Sequence, residues 1–114
     1  MANTTPDAVT TPAAERRVRR VVERRISGFD ETTTWDHPTF RLGGQIFAVL
    51  HDRGLLLRCT TAEATEYLRD DRFTPAPYWG RFGWVCIDIG TVDDAELAQL
   101  VSDAAGRITR RGRR

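Results

Sequence analysis

The sequence predicts a single α+β domain: an antiparallel sheet of about five strands with helices packed on one face. Three observations predict it. Apolar residues recur at helical spacing near the N-terminus. They alternate at period two through the middle, and they return to helical spacing near the C-terminus. The 114 residues are 40% hydrophobic and 29% charged, enough for one modest core without disulfides or metal.

The elements follow in order. Residues 1–13, rich in Thr, Pro and Ala, read as a disordered lead-in without a secretion signal. In 14–26, "AERRVRRVVERRI", Val18, Val21, Val22 and Ile26 form one helical face and the arginines fill the other. Gly28 is a candidate left-handed cap. From Thr39 the period is two: "TFRL", Gly43-Gly44 and "QIFAVLHD" read as a hairpin on a tight glycine turn. A turn at 52–54 leads to a third strand, "LLLRCT". Thr60 and Glu63 spell a capping box, and the short helix behind it turns Ala64, Tyr67 and Leu68 inward, ending near Asp70-Asp71. Pro75 and Pro77 keep the chain extended but poorly paired, as at a sheet edge or a bulge, and Gly80 and Gly83 bracket a turn. "GWVCIDI" puts Val85, Ile87 and Ile89 on one face, with Trp84, Cys86 and Asp88 on the other. Asp93 and Asp94 suit the start of a last helix, whose stripe is Leu97, Leu100, Val101, Ala104 and Ile108. The domain therefore spans 14–108, residues 109–114 form a flexible basic tail, and the order is α-β-β-β-α-β-β-α.

The net charge of +1 conceals a division along the chain. Every basic residue is Arg. Residues 1–28 carry a balance of +3, residues 106–114 carry +5, and residues 29–105 carry −7. A polyanion partner must use the ends, or a local cluster strong enough to outweigh the middle. No apolar run approaches a membrane span. Cys59 and Cys86 lie in apolar runs and read as buried reduced thiols, in keeping with a cytoplasmic protein.

Chemistry-bearing motifs are few. There is no phosphate loop, no Ser-His-Asp ordering and no paired-His metal box. Asp70-Asp71 and Asp93-Asp94-Glu96 lack the alternating spacing of metal loops, so no metal or cofactor is expected. The stretch "WDHPTF", residues 35–40, reads as the lead into the first strand, fixed by Pro38 and anchored by Trp35 and Phe40. His37 is a candidate acid or base, with Asp36 or Asp88 as its partner; the plainer reading is a turn residue. His51, beside the 52–54 turn, reads as a solvated edge residue. Trp35, Arg72, Phe73, Tyr78, Trp79, Arg81, Phe82 and Trp84 interleave aromatic rings with arginine, as base stacking plus phosphate contact requires. The same rings also suit a second apolar layer on a small sheet. An exposed Trp84 beside Arg81 means a binding surface; a covered one means core.

The blocks "WDHPTFRLGGQIFA" at 35–48, "LLLR" at 55–58, "RFTPAPYWGRFGWV" at 72–85 and "DDAEL" at 93–97 together resemble the MmcQ/YjbR family over roughly residues 15–108. The resemblance implies a compact α+β domain in the same superfamily as the bacterial frataxin homologue CyaY. It also implies a double-wing mode of DNA binding in which two β-hairpins act as wings. One wing would turn at Gly43-Gly44 or at Asp52–Gly54, the other around Gly80–Gly83 with Arg81 at its tip. The position after Gly44, commonly Lys in the family, is Gln45 here, which removes a cation from a wing. Frataxins present an acidic first helix to iron. Six arginines occupy the first helix of this chain, so iron binding is not carried over.

The expectation is thus a monomeric, non-enzymatic binding module with DNA as its nominal partner. Trp35, His37, Arg72, Tyr78, Trp79, Arg81 and Trp84 form the expected site, and the arginines of the first helix and the 110–114 tail add phosphate contacts. The alternative is a small-molecule or protein-binding domain with an aromatic pocket between 35–38 and 75–84. A third reading, an enzyme using His37, requires that residue inside the pocket. The two signature blocks are expected to meet, so that Trp35 and His37 share a surface with Arg72, Tyr78 and Arg81, which requires Trp35 within about 15 Å of Tyr78.

Overall fold

The computed structural model describes residues 11–112, with side chains through Ile108. Helix α1 (Pro12–Arg25) begins before Ala14 because Thr11 caps it through a hydrogen bond from the Ala14 amide, and Pro12 suits its first turn. Of the lead-in expected over 1–13, residues 1–10 lie outside the described residues. The backbone of the last helix, α3 (Asp94–Gly112), continues past Ile108; the end of the expected basic tail, 113–114, lies outside the described residues.

Six strands, β1 (Asp30–Thr34), β2 (His37–Leu42), β3 (Gln45–His51), β4 (Gly54–Leu57), β5 (Phe73–Pro75) and β6 (Val85–Ile87), form one sheet. All pairings are antiparallel and the order is β1-β2-β3-β4-β6-β5. The count is one above the expected number of about five. The added strand is β1, whose sequence "DETTT" has no apolar residue to alternate. It is held in place by pairing with β2 from Asp30↔Arg41 to Thr34↔His37, by a bidentate grip of Arg19 of α1 on Glu31, at 2.7 and 2.6 Å, and by a hydrogen bond from Arg41 to Thr32.

Helices α1 and α3 cover one sheet face. Val18, Val21, Val22 and Ile26 meet Leu97, Leu100, Val101, Ala104 and Ile108 over Phe40, Phe47, Leu50, Leu57 and Ile87. Burial of each such Val, Leu, Ile or Phe side chain contributes about 1.5–3 kcal/mol. Arg17 fastens the two helices by donating to Asp94, to the Ile89 carbonyl and to the Val92 carbonyl. Helix α2 (Thr61–Tyr67) carries the expected capping box of Thr60 and Glu63. It ends at Tyr67, so Leu68 falls on the cap and is exposed, contrary to its expected inward position.

The opposite face is also covered at its centre. Val49, Leu56 and Cys86 point away from the helices and pack under Ala76 and Trp84, with Ile46 and Trp79 at the margin. This second layer comes from the β5–β6 connection folding back across the sheet.

Candidate functional site

The β1–β2 connection is a two-residue hairpin turn, since Thr34 pairs with His37. Its central residues, Trp35 and Asp36, have φ of 49° and 67°. The next turn, Gly43-Gly44 between β2 and β3, has the same signs at 59° and 83°. Positive φ at both positions matches the twist of the flanking strands. Glycine adopts it freely; a tryptophan there costs about 1–3 kcal/mol. Among the described residues only one other non-glycine has positive φ, Tyr78 at 66°.

Trp35 and Tyr78 touch, with ring centroids 5.1 Å apart. Trp35 also stacks on Trp79 at 5.9 Å, and Trp79 on Trp84 at 5.5 Å. The Arg58 guanidinium ends the ladder, 5.7 Å from the Trp84 ring centre. Exposure falls steeply along it: Trp35 is 66% and Tyr78 69% exposed, Trp79 is half-buried, and Trp84 is only 8% exposed. The expected anchor of "WDHPTF" is therefore Phe40 alone. Trp35 stands outside the core because it occupies a turn rather than a strand.

The segment carrying three of these rings is tightly closed. The Ala76 amide donates to the Trp84 carbonyl, the Gly80 amide to Ala76, and the Trp84 amide to Trp79. Gly83 has φ of 94°, and a Cβ there would lie 2.8 Å from the Thr61 nitrogen. The Cys59 thiol donates to the Gly83 carbonyl at 2.9 Å. Burial pushes that thiol up to about 11, so it remains protonated and unreactive at neutral pH.

A groove of about 730 Å³ opens between the β2–β3 hairpin and the 76–84 segment. Arg41, Gln45 and Ile46 line one wall; Trp79, Phe82 and Trp84 line the other. Arg58, Cys59, Thr60 and Arg107 complete it. Arg41 donates to Thr32 Oγ1 at 3.1 Å and to the Gly44 carbonyl at 3.0 Å, both neutral acceptors. Arg58 donates to the Ile46 carbonyl at 3.0 Å and to Gln45 Oε1 at 3.4 Å. Gln45 thus orients Arg58, which a lysine at that position, having no acceptor, would not do. Arg107 is 7% exposed and serves the scaffold. It donates to the Arg58 carbonyl and the Tyr67 hydroxyl and pairs with Glu63 at 2.8 Å.

Of the residues expected from sequence, Trp35, Tyr78, Trp79 and Trp84 come together. Trp84 is covered, and its ring forms the buried end of the ladder. Arg81 lies beside the groove on a single 3-10 turn (Gly80–Phe82), its guanidinium 5.1 Å over the Phe82 ring; that turn belongs to the folded-back segment. His37 lies on the same sheet face but packs on His51, ring centroids 4.6 Å apart, and does not line the groove. Arg72 makes its contacts elsewhere. It joins Asp70 at 2.7 Å to Glu96 at 2.8 Å and reaches the Thr91 carbonyl, tying the start of β5 to α3. Arg41 and Arg58 were not among the expected site residues, and Phe82 belonged to the aromatic-arginine set but not to the expected site. Alternation in "TFRL" places Arg41 opposite the buried Phe40, so that arginine was readable; the position of Arg58 depends on the sheet order.

Among the described residues, no group of three or more His, Cys, Asp or Glu side chains could hold a metal ion. No described helix is long and apolar enough to cross a membrane. A family model described as YjbR matches residues 25–104. The chain belongs to the YjbR family. The matched span includes the whole sheet, the ladder and every groove residue except Arg107; it excludes α1 up to Arg24 and the C-terminal arginines. No curated protein and no solved structure gives a significant match.

Proposed function

We propose that this YjbR-family domain is a non-enzymatic nucleic-acid-binding module working through the groove between its β2–β3 and β5–β6 hairpins. The observation that carries the reading is the meeting of Arg41 and Arg58 with Trp79 and Phe82 around one groove, backed by the core residue Trp84. Guanidinium N–H groups suit phosphate oxygens, and flat rings suit bases. The acidic balance of the middle segment does not oppose this locally. Glu31, Glu63, Asp70, Asp94 and Glu96 are each held by an arginine, and none of these acids lines the groove. His37, outside the groove, gives catalysis no support.

The test is fluorescence anisotropy of labelled mixed-sequence DNA across a salt series. The full chain is compared with Arg41→Ala and with a variant carrying Gln at 110, 111, 113 and 114. The expected result is binding near physiological salt that survives the tail changes. Arg41→Ala weakens it and lowers the salt slope by about one. Binding that disappears with the tail charges and ignores Arg41 would overturn the reading, because it would be counterion release alone.

The groove's concavity favours a second reading, a small anionic ring compound, since pockets for such ligands run from about 300 to 1,000 Å³. A mononucleotide that saturates the site with no gain from longer oligomers would select it.

A further inference from the structure

We infer that the exposed end of the ladder, the Trp35–Tyr78 pair, is a platform for unpaired bases, so that the domain prefers single-stranded to duplex nucleic acid. The preference presupposes the nucleic-acid reading of the same groove and adds the form of the ligand.

Four observations carry it. Both rings are exposed, at 66% and 69%, and both sit on left-handed backbone that aromatic residues avoid. Burial does not compensate that strain, and strain of this kind concentrates at sites of function. The platform is rigid, because Trp35 rests on Trp79, Trp79 on the buried Trp84, and Trp84 under Arg58. A ring already held in place loses little freedom when a base stacks on it. Finally, the 76–84 segment lies back on the sheet over Val49, Leu56 and Cys86. It therefore presents exposed rings, Tyr78 tilted 57° to Trp35, where a wing tip would have to project into a duplex groove.

Base pairing decides the rest. In a duplex each base face is covered by its neighbours, and an indole reaches it only at the cost of unstacking a base step or flipping a base out. In a single strand the faces are available at once, and stacking is tolerant of sequence because every base has one. The charges around the platform give the strand a direction. Asp36, beside Trp35 in the turn, is exposed and repels phosphate, whereas Arg41, Arg58 and Arg81 lie toward the groove. The backbone of a bound strand would then run along the groove side, with bases turned onto the rings.

The experiment compares anisotropy titrations of one labelled oligomer of about 20 nucleotides, alone and annealed to its complement, at near-physiological salt. The proteins are the full chain, Trp35→Asn and Tyr78→Asn. Asn accepts left-handed backbone and Asp36 is retained, so the turns and their charge are kept while the rings are lost. Circular dichroism melting checks each fold. The expected result is single-strand affinity at least about tenfold above duplex affinity, falling about tenfold in each variant with duplex affinity unchanged. Equal or tighter duplex binding, or a single-strand preference that survives both variants, overturns the inference while leaving the nucleic-acid reading intact. Binding to neither form overturns both.

Discussion

Trp35 and Tyr78 come from two different hairpins, both on left-handed backbone, and their ring centroids lie 5.1 Å apart. The same two-residue turn geometry is built from glycines at Gly43-Gly44, so the fold has an easy way to make it. At Trp35-Asp36 the first turn position is filled by a tryptophan, which resists it, and the second by an aspartate, which tolerates it. Replacing Trp35 and Asp36 by Asn and Gly removes the strain along with the ring contacts. Stability should be unchanged or should rise by about 1 kcal/mol. Urea denaturation measures it; a fall of more than about 1 kcal/mol would make the aromatic pair a structural device.

Gly83 is the point where the ring-bearing segment meets α2. Its φ of 94° and the 2.8 Å approach of a Cβ to the Thr61 nitrogen leave no room for alanine. Gly83→Ala should destabilise the fold by more than about 1 kcal/mol and loosen the Trp79–Trp84 stack. A red shift of tryptophan emission at unchanged secondary structure would report the loosening; native-like stability and emission would contradict it.

Arg72 belongs to the scaffold. Its hydrogen bonds hold the Asp70 carboxyl below the usual carboxylate range. A carboxyl lowered in the folded state adds stability above its unfolded pKa, and that contribution is lost as pH falls through the folded one. Arg72→Gln should therefore lower the melting temperature at neutral pH and flatten the acid limb of the stability curve, with nucleic-acid affinity unchanged. Loss of affinity without loss of stability would return Arg72 to the site.

His51 offers a separate pH signature. Burial, together with neighbouring His37 and Arg53 and against the pull of Asp52, pushes its pKa below 6.5. The Arg53 amide donates to His51 Nδ1, which requires that nitrogen to be unprotonated. As pH falls below 6.5 the unfolded chain takes the proton first, so stability should decline until the folded-state value is passed. Denaturant midpoints between about pH 5 and 7 should show this slope, reduced in His51→Gln. A slope unchanged by the substitution would assign it to other groups.

Cys59 and Cys86 are both free and buried, and burial pushes both thiols up to about 11. Neither should react with a disulfide reagent at about pH 8 until the protein unfolds. Prompt labelling of Cys59 in the native protein would show that the groove floor opens.

Much of the fold was legible because its elements obey simple periods. The stripes of α1 and α3, the Thr60–Glu63 box and the Gly43-Gly44 hairpin are each written in residues with one preferred use. Strand β1 was not, since "DETTT" has no apolar face and is held at the edge by pairing and by Arg19. The turn read at Asp36-His37-Pro38 falls one residue earlier, on Trp35-Asp36, and His37 opens β2; the Asp was a turn signal, whereas the Trp was not, and tertiary context imposes its conformation. The meeting of residues 35 and 78 was inferable from the two signature blocks. The role of Arg72 was misleading in sequence, because its carboxylate partner Glu96 lies on a distant helix.

The most direct measurement uses the fact that all three tryptophans of the chain stand in the ladder. Their indole N–H resonances can be followed by two-dimensional NMR while an unlabelled single-stranded oligomer is titrated into the full chain. The expected result is that all three indole signals move together with the backbone amides of Arg41, Arg58 and Phe82. Shifts confined to α1 and the C-terminal arginines, with the indoles unmoved, would contradict a binding site in the groove.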